Sequence, residues 1–284
     1  MNKERLYSPK RVADIMERHG FKTTKSLGQN FLVDGNTVRK IADAGEVEAG
    51  DLVLEVGPGI GVLTEEILIR GARVFCVEID QRLIPILEET LADYERATII
   101  NSDILKLDLD QLRSDYNIKG KFKIVANLPY NITTPILEKF IEEDFSLISV
   151  LIQKEVAKRI HARENTKDYG SLSVFISYFC ETELLFDVSK NVFIPKPKVD
   201  SSVLRLKPKE EREEVGDKFF ELVRAAFSNR RKTLVNSISN SELNYTREGL
   251  EIALGKLNLK ENARAEELSL QDFIDLSKGL QEKI

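Results

Sequence analysis

The stretch LVLEVGPGIGVLT, residues 52–64, decides the fold: an aliphatic run, a glycine turn and a helix start follow without a break. Leu52–Val56 has the length and branched composition of a buried strand. Glycines 57, 59 and 61 allow a tight turn and let a ligand approach main-chain atoms that a Cβ would block. The spacing is G-x-G-x-G, with Val62 where a dinucleotide loop carries its last glycine, and Pro58 stiffens the turn.

Working outward, the same unit repeats. Val62–Arg70 reads as a helix, Arg73–Ile79 as a strand and RLIPILEETLADY (82–94) as a helix. Further strands read at Ala97–Asn101, Phe122–Asn127 and Ser146–Gln153, with a helix from about Thr134 and a basic helix after Gln153. Short strands alternating with helices mean βαβ units and a parallel sheet, with ligands at the carboxyl ends of the strands. Thr182–Ser189 and Ser201–Lys207 read as strands closing that sheet. Upstream, an amphipathic helix over about residues 8–19 leads through the loop KSLGQNFL (25–32) into a second helix. Pro208 and the acidic run to Asp217 read as a linker. Beyond it Phe219, Leu222, Val223, Ala226 and Phe227 recur at helical spacing, so the expected domains are 1–208 and a helical 209–284.

The chain has 284 residues, 42% hydrophobic and 31% charged, the balance of a globular protein with one large and one small domain. No apolar run is long enough to cross a bilayer, and the N-terminus lacks the apolar core of a signal peptide. Cys76 and Cys180 lie in apolar stretches and read as reduced, buried thiols, so a cytoplasmic location is expected. With only these cysteines and His19 and His161, all scattered, neither a zinc site nor a Ser-His-Asp triad is expected, and no metal. Net charge is −5, yet basic residues cluster. Residues 1–40 are basic (Lys3 and Lys25 among them), as are Lys154, Lys158, Arg159, Arg163 and Lys167, then Arg230, Arg231 and Lys232. One cluster alone reads as a solvated face; three in an acidic chain point to a polyanion, because phosphate contacts are local.

Two motifs carry chemistry. Glu78 ends the second strand about 20 residues after the glycine turn, where a carboxylate can accept both ribose hydroxyls. Asp103, in TIINSDIL, stands where it could accept from an adenine amino group, although Asp80 and Asp103 read equally well as helix caps. S-adenosyl-L-methionine, with an adenosine, a sulfonium and a zwitterionic tail but no pyrophosphate, suits such a loop. The fourth strand ends in ANLPYNI (126–132). An adenine amino group is a poor nucleophile because its lone pair is delocalised into the ring. Two acceptors held against its N–H groups, Asn127 Oδ1 and the Leu128 carbonyl, would turn that lone pair towards a methyl group. Pro129 fixes the turn without a competing N–H, and Tyr130 can stack on the base. No general base is required, so catalysis would be mostly positioning. Taken alone, N-L-P-Y reads equally as a strand-ending turn.

Together these blocks resemble the ribosomal RNA adenine N6,N6-dimethyltransferase family in its small-subunit branch. The resemblance runs through SLGQNFL (26–32), EVGPGIGVLT (55–64), EID (78–80), SDIL (102–105), NLPYNI (127–132), QKEVAKRI (153–160), DYGSLSV (168–174), FIPKPKVDSSV (193–203) and FSNRRKTL (227–234). It implies an α/β fold, a Rossmann-like class I methyltransferase sheet with helices on both faces plus a small all-helical C-terminal domain. It implies S-adenosyl-L-methionine held by Gln29, Asn30, Leu32, Gly57, Gly59, Gly61, Glu78, Ile79, Asp103, Ile104 and Asn127. The target base would meet Asn127, Leu128, Pro129 and Tyr130, with Phe193 on its other face, where simple core packing is the alternative. Lys154, Lys158, Arg159, Arg163, Arg230, Arg231 and Lys232 would grip phosphates on either side of the pocket. The implied reaction methylates N6 of two adjacent adenosines near the 3′ end of small-subunit (16S) rRNA. The implied partner is the assembling 30S subunit, the enzyme a monomer. The rival readings are a large-subunit rRNA adenine methyltransferase of the antibiotic-resistance type and a non-catalytic assembly factor. A DNA adenine methyltransferase fits less well, since Leu128 replaces the first proline of P-P-Y.

Overall fold

The computed structural model describes residues 4–24 and 27–281; Lys3, Lys25 and Ser26, named above, lie outside the described residues. In chain order the first elements are α1 (Pro9–Arg18), β1 (Phe31–Leu32), α2 (Gly35–Ala44), β2 (Leu52–Val56), α3 (Val62–Ile69), β3 (Arg73–Glu78), α4 (Ile84–Thr90) and β4 (Ala97–Asn101). Then come α5 (Leu109–Asp115), β5 (Phe122–Asn127), α6 (Thr133–Ile141), β6 (Phe145–Gln153), α7 (Lys154–His161), α8 (Ser171–Phe179), β7 (Cys180–Val188), β8 (Phe193–Ile194) and β9 (Ser201–Pro208). The chain finishes in α9 (Phe219–Ala226), α10 (Leu234–Ser239), α11 (Arg247–Lys256) and α12 (Leu270–Gln281).

Seven strands form one sheet in the order β4-β3-β2-β5-β6-β9-β7, and β1 pairs with β8 in a separate ribbon. The strands from β2 to β6 run parallel. The expected closing strands are there, but β9 runs antiparallel to β6, from Ile148 opposite Leu206 to Gln153 opposite Ser201, so the sheet is mixed. β2 is buried from Val53 onward, β3 from Val74, and β6 everywhere except Ser146 and Gln153. Runs without alternation mean that both sheet faces are covered, as parallel strands require. From β2 the chain builds outward through β3 to β4, then returns to lay β5 on the other side of β2. That reversal opens a crevice at the carboxyl ends of β2 and β5. The helix leaving the glycine turn, α3, is buried from Val62 to Leu68, acids included. Glu65 accepts from Arg5 Nε and the Leu6 amide, and Glu66 pairs with Arg5 and Arg70, which anchors the N-terminal segment.

Packing divides the chain into two compact units. One holds the chain up to Ala157 and Glu183–Pro208; the other holds Lys158–Thr182 and everything from Lys209 onward. The domains expected from the sequence are 1–208 and 209–284; by packing, the sheet unit ends at Pro208 and Lys158–Thr182 groups with the helical unit. Its Tyr169 and Val174 are buried with Phe219, Leu222, Leu234 and Phe273, and Phe175 lies 5.1 Å from Phe220, ring to ring. Both cysteines are buried free thiols. Among the described residues no helix is long and apolar enough to cross a membrane.

Candidate active site

At the crevice the strand ends converge: Glu55 and Val56 of β2, Glu78 of β3 and Asn127 of β5 line one cleft. Every residue expected to hold a cofactor lines it except Gly61. Gly61 instead caps α3 in the left-handed region, at φ 88°. The glycine turn is closed from outside by β1. A Cβ on Gly59, whose φ is +63°, would stand 2.8 Å from the Phe31 ring, so only glycine lets the strap lie this close.

Glu78 is 5% exposed; its carboxylate accepts from the Asp80 amide at 2.9 Å and, at 3.4 Å, from the Gly59 amide. Burial pushes its pKa up to about 7. Asp103 lines the cleft and accepts from the Leu105 amide at 3.0 Å in a turn; it is no helix cap, since the next helix, α5, is capped by Asp108. Asp80 is a cap, accepting from the Arg82 amide, and lies outside the cleft lining. Ile79, 51% exposed, and the buried Ile104 both line the cleft with apolar side chains.

Sequence reasoning missed Glu55, which looks like one more residue of a buried strand. It is 2% exposed, accepts from the Thr64 hydroxyl at 2.6 Å, and burial pushes its pKa up to about 8. The cleft thus presents Glu55, Glu78 and Asp103, and among the described residues no Lys, Arg or His lines it. A pyrophosphate would meet no cation among these described lining residues, whereas ionised carboxylates here would stabilise a ligand that itself carries positive charge. The residues therefore fit a cationic nucleoside: glycines for close approach, Glu78 for vicinal hydroxyls, isoleucines for a ring. Among the described residues no group of three or more His, Cys, Asp or Glu could hold a metal ion.

At the end of β5, Asn127 Nδ2 donates to the Asn30 carbonyl at 3.1 Å. Only the amide nitrogen can donate, so this bond sets the rotamer, and among the described residues no hydrogen bond engages Oδ1. Asn127 and Pro129 line the cleft; Leu128, 1% exposed, points its side chain into the core while its amide donates to the Leu151 carbonyl. No described hydrogen bond engages the Leu128 carbonyl. Tyr130 is half-buried and shares a 2.6 Å hydrogen bond with the buried Ser201 hydroxyl, which pins the ring end. Tyr130 is not part of the cleft lining, and neither is Phe193. Phe193 is 3% exposed, pairs in β8 opposite Leu32 and packs in the core, so the core-packing reading describes it here.

The basic residues are dispersed. Lys154 pairs with Asp187 in the sheet unit, so its charge is already countered. Lys158, Arg159, Arg163 and residues 230–232 belong to the helical unit. There Arg230 donates to the Tyr169 carbonyl, whereas the side chains of Arg231 and Lys232 are exposed and engaged in no described hydrogen bond or ion pair.

The profile of the family described as "Ribosomal RNA adenine dimethylase" matches residues 20–282. A ribosomal RNA small subunit methyltransferase A from Alkaliphilus oremlandii is 45% identical over 99% of this chain and 100% of its own length. Among solved structures, a dimethyladenosine transferase from Plasmodium falciparum superposes with a TM-score of 0.73 at 27% identity, covering 87% of this chain and 95% of that one. The 23S rRNA methyltransferase ErmE gives 0.67 at 28% identity, covering 89% of this chain and all of that one. The fold thus has its counterpart in solved methyltransferases, and the chain belongs to the ribosomal RNA adenine dimethylase family.

Proposed function

We propose that this chain transfers methyl groups from S-adenosyl-L-methionine to N6 of two adjacent adenosines near the 3′ end of small-subunit rRNA, during assembly of that subunit in the cytoplasm. The observation that carries the reading is Asn127: its amide nitrogen is spent on Asn30, and its oxygen is left to accept from an amine at the mouth of an acidic cleft. The cofactor would supply a methyl group made electrophilic by the sulfonium. Glu78 would accept the ribose hydroxyls, Asp103 the adenine amino group, and Ile79 and Ile104 would sandwich the ring. Asn127 Oδ1 and the Leu128 carbonyl would accept the two N–H groups of the target amine and help it become tetrahedral. Its proton then leaves after the N–C bond forms, and no side chain with a tuned pKa need take it. Tyr130, held through Ser201, would face the base. Relatives named as small-subunit methyltransferases reach 43–46% identity, against 28% for the 23S enzyme, and this favours the small subunit as substrate. Labelled methyl transfer to immature small subunits, compared with naked large-subunit RNA, tests it. Label in the small subunit as dimethyladenosine is expected; label confined to the large-subunit RNA would transfer the reading to the rival enzyme.

A further inference from the structure

Arg82 and Asp80 lie just beyond the strand that ends in Glu78, outside the cleft, and yet they are wired to its catalytic end. Arg82 reaches Asp80 through Nε at 2.9 Å and Nη2 at 2.6 Å. The same guanidinium donates to Thr24 Oγ1 at 2.6 Å and to the Lys22 carbonyl at 3.4 Å, and it stacks 5.0 Å over the Phe21 ring. Asp80, 7% exposed, also accepts from Gln29 Nε2 at 2.7 Å, while Gln29 Oε1 accepts from the Thr24 amide at 2.7 Å. One residue on, the Asn30 carbonyl accepts from Asn127. The loop also rests on the catalytic turn at Gly28, where an added Cβ would stand 3.4–3.7 Å from Asn131, Tyr130 and Pro129. Planar, five-donor geometry lets one Arg serve Asp80 twice and the loop at three points, which a lysine cannot do.

We propose that Arg82 and Asp80 are positioning residues: they fasten Phe21–Thr24 and Gln29 and, through Gln29 and the Asn30 carbonyl, hold the Asn127 amide with Oδ1 turned to the target amine. The role of Asn127 in methyl transfer rests on the function proposed above; the linkage itself does not. A fastening of this kind couples a loop over the cofactor site to the group that meets the base, so loosening one end changes the orientation of the other. A residue that merely braced the fold would lower the melting temperature and leave Asn127 undisturbed.

The experiment measures side-chain amide hydrogen exchange at Asn127 in the ligand-free 15N-labelled protein, beside single-turnover methyl transfer at saturating cofactor. Arg82→Ala and Gln29→Ala should each speed exchange at Asn127 by roughly tenfold, the opening expected when one or two hydrogen bonds are removed. The double variant should go little further, because both lie on one path. Arg82→Lys, which keeps the charge and the fold but loses the fork, should resemble Arg82→Ala. Single-turnover rates should fall about five- to tenfold, by the same loss of orientation. Unchanged exchange at Asn127 in Arg82→Ala, or effects that multiply in the double variant, would overturn the proposal. If exchange responds as expected but the wild type methylates no ribosomal RNA, the linkage stands and the functional reading falls.

Discussion

The acidity of Glu78 gives a quantitative handle on the cofactor site. In the free protein its pKa is pushed up to about 7, chiefly by burial. To accept two ribose hydroxyls it must be ionised, so binding should draw its pKa back towards the ordinary carboxylate range. At pH 6 about nine-tenths of the free protein would carry a proton there, which binding must remove at a cost of about 1.4 kcal/mol per unit of pKa. At pH 8.5 the group is already ionised and that cost is gone. Affinity should therefore tighten about tenfold from pH 6 to pH 8.5, with close to one proton released per ligand at pH 6. The probe is 5′-methylthioadenosine, which keeps the adenosine but has no amine that titrates in this window, so the protons come from the protein. Calorimetry in buffers of different ionisation enthalpy counts them. Glu78→Gln keeps the shape without the titration: its affinity should be weaker at pH 8.5 and independent of pH. A flat wild-type affinity with no proton release would refute the reasoning and remove Glu78 from the ribose.

Asn127→Ala should collapse single-turnover methyl transfer at saturating cofactor; a loss below about tenfold, roughly 1.4 kcal/mol, would contradict its role as acceptor. Glu55 has a folded pKa of about 8, above its unfolded value, so its stabilising contribution is complete below the unfolded pKa and is lost as pH rises towards 8. Between pH 6 and pH 8 the ligand-free wild type should lose on the order of 2 kcal/mol of unfolding free energy that Glu55→Gln does not lose; parallel denaturation profiles would show Glu55 already ionised. Arg231→Ala with Lys232→Ala removes two exposed cations that no described hydrogen bond or ion pair engages. It should weaken small-subunit binding and flatten the log-affinity versus log-salt slope by about 0.7–0.9 for each phosphate no longer neutralised, with an unchanged slope placing the RNA path elsewhere.

What the sequence revealed follows from the range of each signal. The strands of the parallel sheet are short, mostly apolar runs, and β2, β4 and β5 lie where those runs read, residue for residue. The cofactor turn was legible because glycine, proline and an acid at a fixed distance are local. β1 and β8 were not, because two-residue strands have no period and exist through each other, Phe31 opposite Ile194. SLSVFISYF has no polar face to announce a helix, and only the aromatic partners around Phe220 settle that α8 lies in the helical unit. α5 was missed for the opposite reason, since LDQLRSD is mostly polar and buries only Leu109 and Leu112. Phe193 allowed a site and a core reading with equal ease; which holds depends on a strand pairing that no local pattern encodes.

Net charge shows the same limit from the other side. A total of −5 speaks against an RNA partner only if the acids face solvent. Glu55, Glu65, Glu66, Glu78 and Asp80 do not: all are buried. Glu65 and Glu66 hold Arg5, Asp80 holds Arg82 and Gln29, and Glu55 and Glu78 face the cleft. Burial moreover keeps Glu55 largely protonated near neutrality. These acids are therefore not free surface charge: Glu65, Glu66 and Asp80 are paired with arginines, and Glu55 and Glu78 lie in the cleft. Exposed cations such as Arg231 and Lys232 remain uncompensated at the surface. Under the proposed function one chain would in this way offer carboxylates to a sulfonium and lysines and arginines to a phosphate backbone, the two fields being separated by burial and not by composition.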